Sequence, residues 1–220
     1  MAYILNIETS TTNCSVSVSK DENILSVVEE DSKQYSHAEQ LHIFIEKAIE
    51  EADISKQHLD AIAISKGPGS YTGLRIGVSS AKGIAYSLDI PLVSVSTLQS
   101  LAAKAGNYDT IIPMIDARRM EVYTRTFNAD LEAQNKVEAK ILDKTSFSEL
   151  IKKKSRLCFI GNGAEKFQNT IGEHGNISFI STNPSAREMA ILSSQKNKQH
   201  LYEDIAYFEP FYLKDFVGGR

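Results

Sequence analysis

The run Lys66-Gly67-Pro68-Gly69-Ser70-Tyr71-Thr72-Gly73-Leu74-Arg75-Ile76-Gly77 constrains this chain more than any other feature, because it joins an apolar strand, Leu59 to Ser65, to a helix predicted from about Thr72 to Leu88. A glycine-rich turn ahead of a helix is a common anion cradle, since bare backbone N–H groups and the helix dipole both favour negative charge there. The spacing excludes a P-loop, which needs two glycines five positions apart followed by Lys and Ser or Thr. Here the glycines at 67, 69, 73, 77 and 83 are separated by two, four, four and six. What remains is a tight turn and a helix with a smooth flank, with Thr72 as the expected N-cap. Gly77 and Gly83 lie in its interior, where each costs about 1 kcal/mol relative to Ala. Close approach of another backbone is the expected compensation, because Gly73, Gly77 and Ala81 lie four apart and line one stripe. A second helix is expected against that stripe, from the chain's own core or from another subunit. Gly77→Leu separates the two readings: it breaks a complex if the stripe is an interface and unfolds the chain if it is core.

A second helix is predicted downstream of Ser36, which forms a capping box with Glu39. Leu41, Ile45, Ala48, Ile49 and Ala52 make one apolar face, and Ile43 and Phe44 extend it around the side. Such a helix is covered either by one wide core face or from two directions.

Tyr3 to Glu8, Cys14 to Ser19 and Ile24 to Glu30 are short β-branched or alternating runs that predict a three-stranded meander. Helix, strand, the glycine-led helix and a strand at Leu92 to Ser96 follow. The second half restarts with runs at Thr110 to Ile115, Glu121 to Asn128 and Lys136 to Leu142, then a helix near Phe147 to Lys153 and a strand at Leu157 to Ile160. Strands first, then alternating helix and strand, occurs twice, which suits duplicated α/β subdomains with mixed sheets. The expected division is 1–105 and 106–220 at the loop-like Lys104 to Asp109, with Ile205 to Phe216 crossing back onto the first half.

Five strings carry a resemblance to a known family: Ile7-Glu8-Thr9-Ser10-Thr11, Ser36-His37-Ala38-Glu39-Gln40-Leu41, Gly67 to Gly77, Pro91 to Leu98, and Ile115-Asp116-Ala117-Arg118-Arg119. In that order they resemble the TsaB (YeaZ) family of bacteria, with weaker matches at Gly161-Asn162-Gly163-Ala164 and Pro210-Phe211-Tyr212-Leu213. The resemblance implies an actin-like ATPase (ASKHA) fold of two RNase H-like subdomains. It also implies a non-catalytic role beside the transferase TsaD and the ATPase TsaE, adding threonylcarbamoyl to N6 of the adenosine next to the anticodon in tRNAs reading codons that begin with A. In the family the two helices above pack with two from TsaD, or form a homodimer without it. The interface candidates carried over are Leu41, Phe44, Ile45, Ala48, Tyr71, Gly73, Leu74, Gly77, Val78 and Ala81.

Actin-like ATPases approach phosphate with two glycine-bearing turns. The corresponding turns here, Glu8 to Thr11 and Asp116 to Arg119, contain no glycine, and side chains there block the backbone. Thr9, Ser10, Thr11 and Arg118 are the residues left to contact a nucleotide or anion weakly. No intrinsic cofactor is expected, and ATP or ADP is expected only at the junction of the complex. A small-molecule kinase of the superfamily is the alternative that would need the missing glycine turn. A metal-dependent glycopeptidase would need two His at i and i+4, but His37 and His42 are five apart and His58, His174 and His200 are isolated.

With 24 Lys and Arg against 28 Asp and Glu, the net charge of −4 argues against tRNA binding by this chain alone. The basic cluster Lys152 to Arg156 reads as a helix terminus, so tRNA is expected through the complex. Cys14 and Cys158 read as reduced core residues. The chain has no run of the roughly 20 apolar residues that a membrane span needs, and the cytoplasm is the expected compartment.

Overall fold

The computed structural model describes residues 1–32, 37–153, 155–172 and 175–214. Ser36, and with it the expected capping box, lies outside those residues, as do Lys154, His174 and residues 215–216 of the stretch expected to cross back. The chain forms two compact units, one of Met1–Ser100 with Pro184–Tyr212, the other centred on Leu101–Asn183.

In the first unit β1 (Tyr3–Glu8), β2 (Asn13–Lys20) and β3 (Asn23–Asp31) form an antiparallel meander. Asp21 makes the β2–β3 turn in the left-handed region, which Asp tolerates better than most residues. Helix α1 (His37–Glu51) leads on to β4 (Ala61–Ser65), which pairs parallel with β1. Helix α2 (Tyr71–Leu88) returns the chain to β5 (Leu92–Val95), parallel to β4, and α3 (Thr97–Ala103) follows. The strand order is β3-β2-β1-β4-β5.

The inner strand β4 is buried on both faces, and its alternation sorts the two layers. Ile62 and Ile64 face the core shared with α1 and α2, joined by Leu5, Ile7, Leu41, Ile45, Val78 and Ala81. Ala61 and Ala63 face the other way, and these small residues admit α6 (Ala186–Lys198), whose Ala186, Met189 and Leu192 pack there with Ile4, Val93 and Val95. Sequence reasoning missed α6 because its surface is largely polar; its start is marked by Ser185, whose hydroxyl accepts from the Arg187 N–H.

The second unit repeats the plan. Strands β6 (Thr110–Asp116), β7 (Glu121–Thr124) and β9 (Glu138–Ile141) form the antiparallel part, and β8 (Phe127–Asn128) pairs with β6. The single run predicted from Glu121 to Asn128 is thus broken into β7 and β8. Helix α4 (Ser148–Lys152), β10 (Leu157–Ile160), α5 (Ala164–Ile171) and β11 (Ile177–Ile180) complete it, with β10 parallel to both β6 and β11. Its order, β11-β10-β6-β7-β9, is that of the first unit with β6 in the place of β1. Phe159 and Phe167, with ring centroids 4.8 Å apart, anchor a core built on Ile112, Met114 and Leu157. Among the described residues no helix is long and apolar enough to cross a membrane.

Candidate partner interface and the buried turn beneath it

Helix α2 begins one residue earlier than expected, and its N-cap is Ser70 rather than Thr72. The Ser70 hydroxyl accepts from the Gly73 N–H at 3.3 Å, and Thr72 is exposed on the first turn. The preceding turn needs a glycine at one position above all: Gly67 has φ +107° and lies against the Phe211 carbonyl, with no room for a side chain. The helix ends at Asp89, which takes the left-handed conformation that often closes a helix.

The glycine stripe does meet a close neighbour, but that neighbour is a turn and not a helix. A Cβ on Gly73 would collide with the Thr9 carbonyl, and one on Gly77 with the Thr9 hydroxyl and Ile64. Gly69 lies equally close to Ser10. The Thr9 hydroxyl donates to the Gly73 carbonyl at 2.8 Å, and the Ser70 N–H donates to the Ser10 carbonyl at 2.7 Å. On the other side His37 donates from Nε2 to the Thr11 carbonyl at 2.7 Å, and its burial pushes the imidazole pKa down. The β1–β2 turn is therefore clamped between the first turns of α1 and α2.

Beside this clamp, α1 and α2 share an exposed face. His42 and Ser80 meet at 3.4 Å across the helix pair. Outside that seam Ile43 is 61% exposed and Tyr86 80%. Ile76 and Phe44 are half-buried, while Thr72, Ser79 and Gly83 form a low crest, with open space around Gly83. The far flank of α2 is covered by the C-terminal segment. Lys82 donates to the carbonyls of Ala206 and Phe208 at 3.2 and 3.1 Å, and the Arg75 guanidinium sits 4.2 Å over the Tyr71 ring and donates to the Tyr212 hydroxyl.

Known proteins match the chain along almost its whole length. The TsaB protein of Bacillus subtilis (strain 168), a tRNA threonylcarbamoyladenosine biosynthesis protein, is 33% identical over 221 residues, covering 96% of this chain and 93% of that one. The chain belongs to the TsaB (YeaZ) family. Residues 27–217 also match the profile described as TsaD, tRNA N6-adenosine threonylcarbamoyltransferase. A protein of that name from Bacillus thuringiensis (strain Al Hakam) is 36% identical over 107 residues, 42% of this chain and 31% of that one. YeaZ from Pseudomonas aeruginosa superposes with a TM-score of 0.82 at 23% identity, over 97% of this chain and 100% of that structure. The two sheets of one strand order are the subdomains of the actin-like fold, and the family's process is threonylcarbamoyladenosine biosynthesis.

Within this TsaB-family chain most of the interface residues expected from sequence are internal. Leu41, Ile45, Ala48, Gly73, Leu74, Gly77, Val78 and Ala81 are all buried inside the first unit, so the stripe is core and not a surface offered to another subunit. Phe44 and Tyr71 keep part of their surface, Tyr71 against Tyr212 and Arg75. The residues with exposed surface that sequence reasoning left off its list of interface candidates are Ile43, half-buried Ile76, Ser79, Gly83 and Tyr86, with Thr72, expected only as an N-cap, exposed beside them. Helical spacing could have found Ile76, Ser79, Gly83 and Tyr86, which lie on the side of α2 opposite the glycine stripe. The anion expectation changes as well. Thr9, Ser10 and Thr11 are 0%, 1% and 3% exposed, so their hydroxyls face the fold and not an anion. Arg118 is exposed on the β6–β7 turn, where its N–H donates to Asp116 at 2.6 Å. Lys166 stitches the same turn, reaching Asp116 at 2.5 Å and the Arg119 carbonyl at 2.6 Å.

Proposed function

We propose that this chain is the non-catalytic subunit that holds TsaD in its active arrangement, within a complex that also admits TsaE. TsaD supplies the chemistry that moves threonylcarbamoyl onto N6 of the adenosine beside the anticodon in tRNAs reading codons that begin with A. The observation that carries this reading is the buried β1–β2 turn. An actin-like enzyme needs its phosphate-approaching backbone N–H groups free, but here the Ser10 N–H is taken by the Glu8 carboxyl group, and Gly73 and Gly77 close over Thr9.

The docking face in this proposal is the crest of α2 at Thr72, Ile76, Ser79 and Gly83 with Ile43 and Phe44 of α1. Its low central residues leave room for a helix at close range, and an apolar rim such as Ile43 and Tyr86 is the kind of surface that a partner covers. The likeness of this chain to a threonylcarbamoyltransferase over 107 residues supports a partner of the same fold. Without TsaD the same face pairs two copies. Nucleotide binds at the junction of the complex and not to this chain alone; Arg118 is an exposed cation of the second unit. Transfer RNA is bound by the complex and not by this chain, in keeping with a net charge of −4.

The test is threonylcarbamoyl transfer to tRNA by the cognate TsaD and TsaE, with ATP and the threonylcarbamoyl-adenylate precursor, with and without this chain. Modification only in its presence supports the proposal. Equal modification without it refutes the role.

A further inference from the structure

Glu8 ends β1 directly under the foot of α2, and its carboxyl group is fully buried. Oε1 accepts from the Ser10 N–H at 2.7 Å. Among the described residues Oε2 has no hydrogen-bond partner, and neither has the Ser10 hydroxyl beside it. No ion pair among the described residues includes Glu8. A buried carboxylate without a cation is a costly species, and such a group commonly takes up a proton instead.

We propose that Glu8 is held as the neutral carboxylic acid, donating its Oε2 proton to the Ser10 hydroxyl, and that this proton latches the β1–β2 turn to the foot of α2. One hydrogen bond would join the two orphaned oxygens in either protonation state, but only the acid leaves no net charge in the compartment. The groups around Glu8 agree. From β2 the Cys14 thiol is pushed up to about 12, chiefly by burial, and so adds no charge beside Glu8. From α1 His37 is pushed towards its neutral form by burial. From the end of β4 the Ser65 hydroxyl is bonded to that of Thr97 at 2.5 Å, and Lys66 follows it, half-buried, in the turn. Burial also raises the pKa of Glu8 itself, outweighing the opposing effect of the nearby Ser10, Ser65 and Thr9 groups.

Ionisation draws water to Glu8 and loosens the Ser10 carbonyl from the Ser70 N–H, which sets the start of α2. The further effect on docking rests on the proposed function above; the titration itself does not. The sign follows from linkage. A carboxyl whose folded pKa lies above its unfolded value near 4.5 gives stability that is full below that value and lost as pH rises through the folded pKa. His37 acts in the opposite direction, and Cys14 enters only above its ordinary value of 9.

The experiment uses the full chain alone. Carboxyl-carbon NMR of glutamate-labelled protein is expected to show Glu8 still protonated past the ordinary range of glutamate. Relative to Glu8→Gln, which keeps a donor without a charge, the melting temperature of the wild type is expected to fall between pH ~5 and ~8.5. A Glu8 carbon that ionises at its ordinary value, or a Glu8→Gln variant with the wild-type slope, overturns the proposal. If Glu8→Gln does not fold, the wild-type NMR titration decides by itself.

Discussion

The hydroxyl of Thr9 donates to the carbonyl of Gly73 at 2.8 Å across 64 residues of sequence. This bond ties the β1–β2 turn to the first turn of α2, and the bare flank of α2 makes it reachable. The glycines at 73 and 77 are thus spacing devices for a neighbouring turn, offsetting inside the first unit the helix propensity that they sacrifice.

Gly73→Ala and Gly77→Ala should each destabilise the chain by about 1–3 kcal/mol, the usual range for overpacking. Gly73→Ala should cost more, because its nearest obstacle is the Thr9 backbone while the obstacles at Gly77 are side chains. Gly83→Ala meets open space and should be neutral or stabilising by up to ~1 kcal/mol. Urea denaturation of the three variants checks the ranking.

Gly83→Leu should keep the wild-type melting temperature yet weaken TsaD binding by roughly tenfold or more, about 1.4 kcal/mol. Isothermal titration of purified TsaD reads the effect. Wild-type affinity would move the docking face away from the crest of α2.

His37 should give the chain an acid-sensitive limb. Its folded pKa is lowered by burial, so the neutral ring contributes stability above its unfolded value near 6.5, and that contribution is lost as pH falls below it. Thermal melts of wild type and His37→Gln from pH ~7 down to ~5 should differ in slope, with the wild type losing stability relative to the variant as pH falls.

Both thiols should be silent in the folded chain. Cys14 and Cys158 are buried, and burial is the main force that pushes each to about 12; the thiolate, and not the thiol, is the reactive species. A colorimetric thiol assay at mildly alkaline pH should find no reactive cysteine until denaturant is added, then both.

The purified chain should hydrolyse no ATP by itself, because the β1–β2 turn is buried against α2. Steady turnover that disappears in Glu8→Ala would contradict this and return the turn to catalysis.

Much of this protein was legible in one dimension. Alternating runs gave β1 to β3 within a residue or so, and the switch from period two to helical spacing marked α1 and α2. These patterns are local, because each strand or helix must bury one side whatever it packs against. Helix α6 escaped because it buries small and polar positions such as Ala186, Ser193 and Ser194, which carry little hydrophobic signal.

The glycine stripe marks the boundary between the two kinds of knowledge. Spacing alone determined that Gly73 and Gly77 share a face and that something must come close to it. Only tertiary structure decided that the neighbour is Thr9, which turned the expected interface into core and moved the exposed surface to Ile43, Ser79, Gly83 and Tyr86. The same contact buried the hydroxyls of Thr9, Ser10 and Thr11, and among the described residues no ion pair includes Glu8. A helix pattern states how much surface must be covered. What covers it depends on residues brought together from distant parts of the chain, and that pairing has no period for a sequence to display.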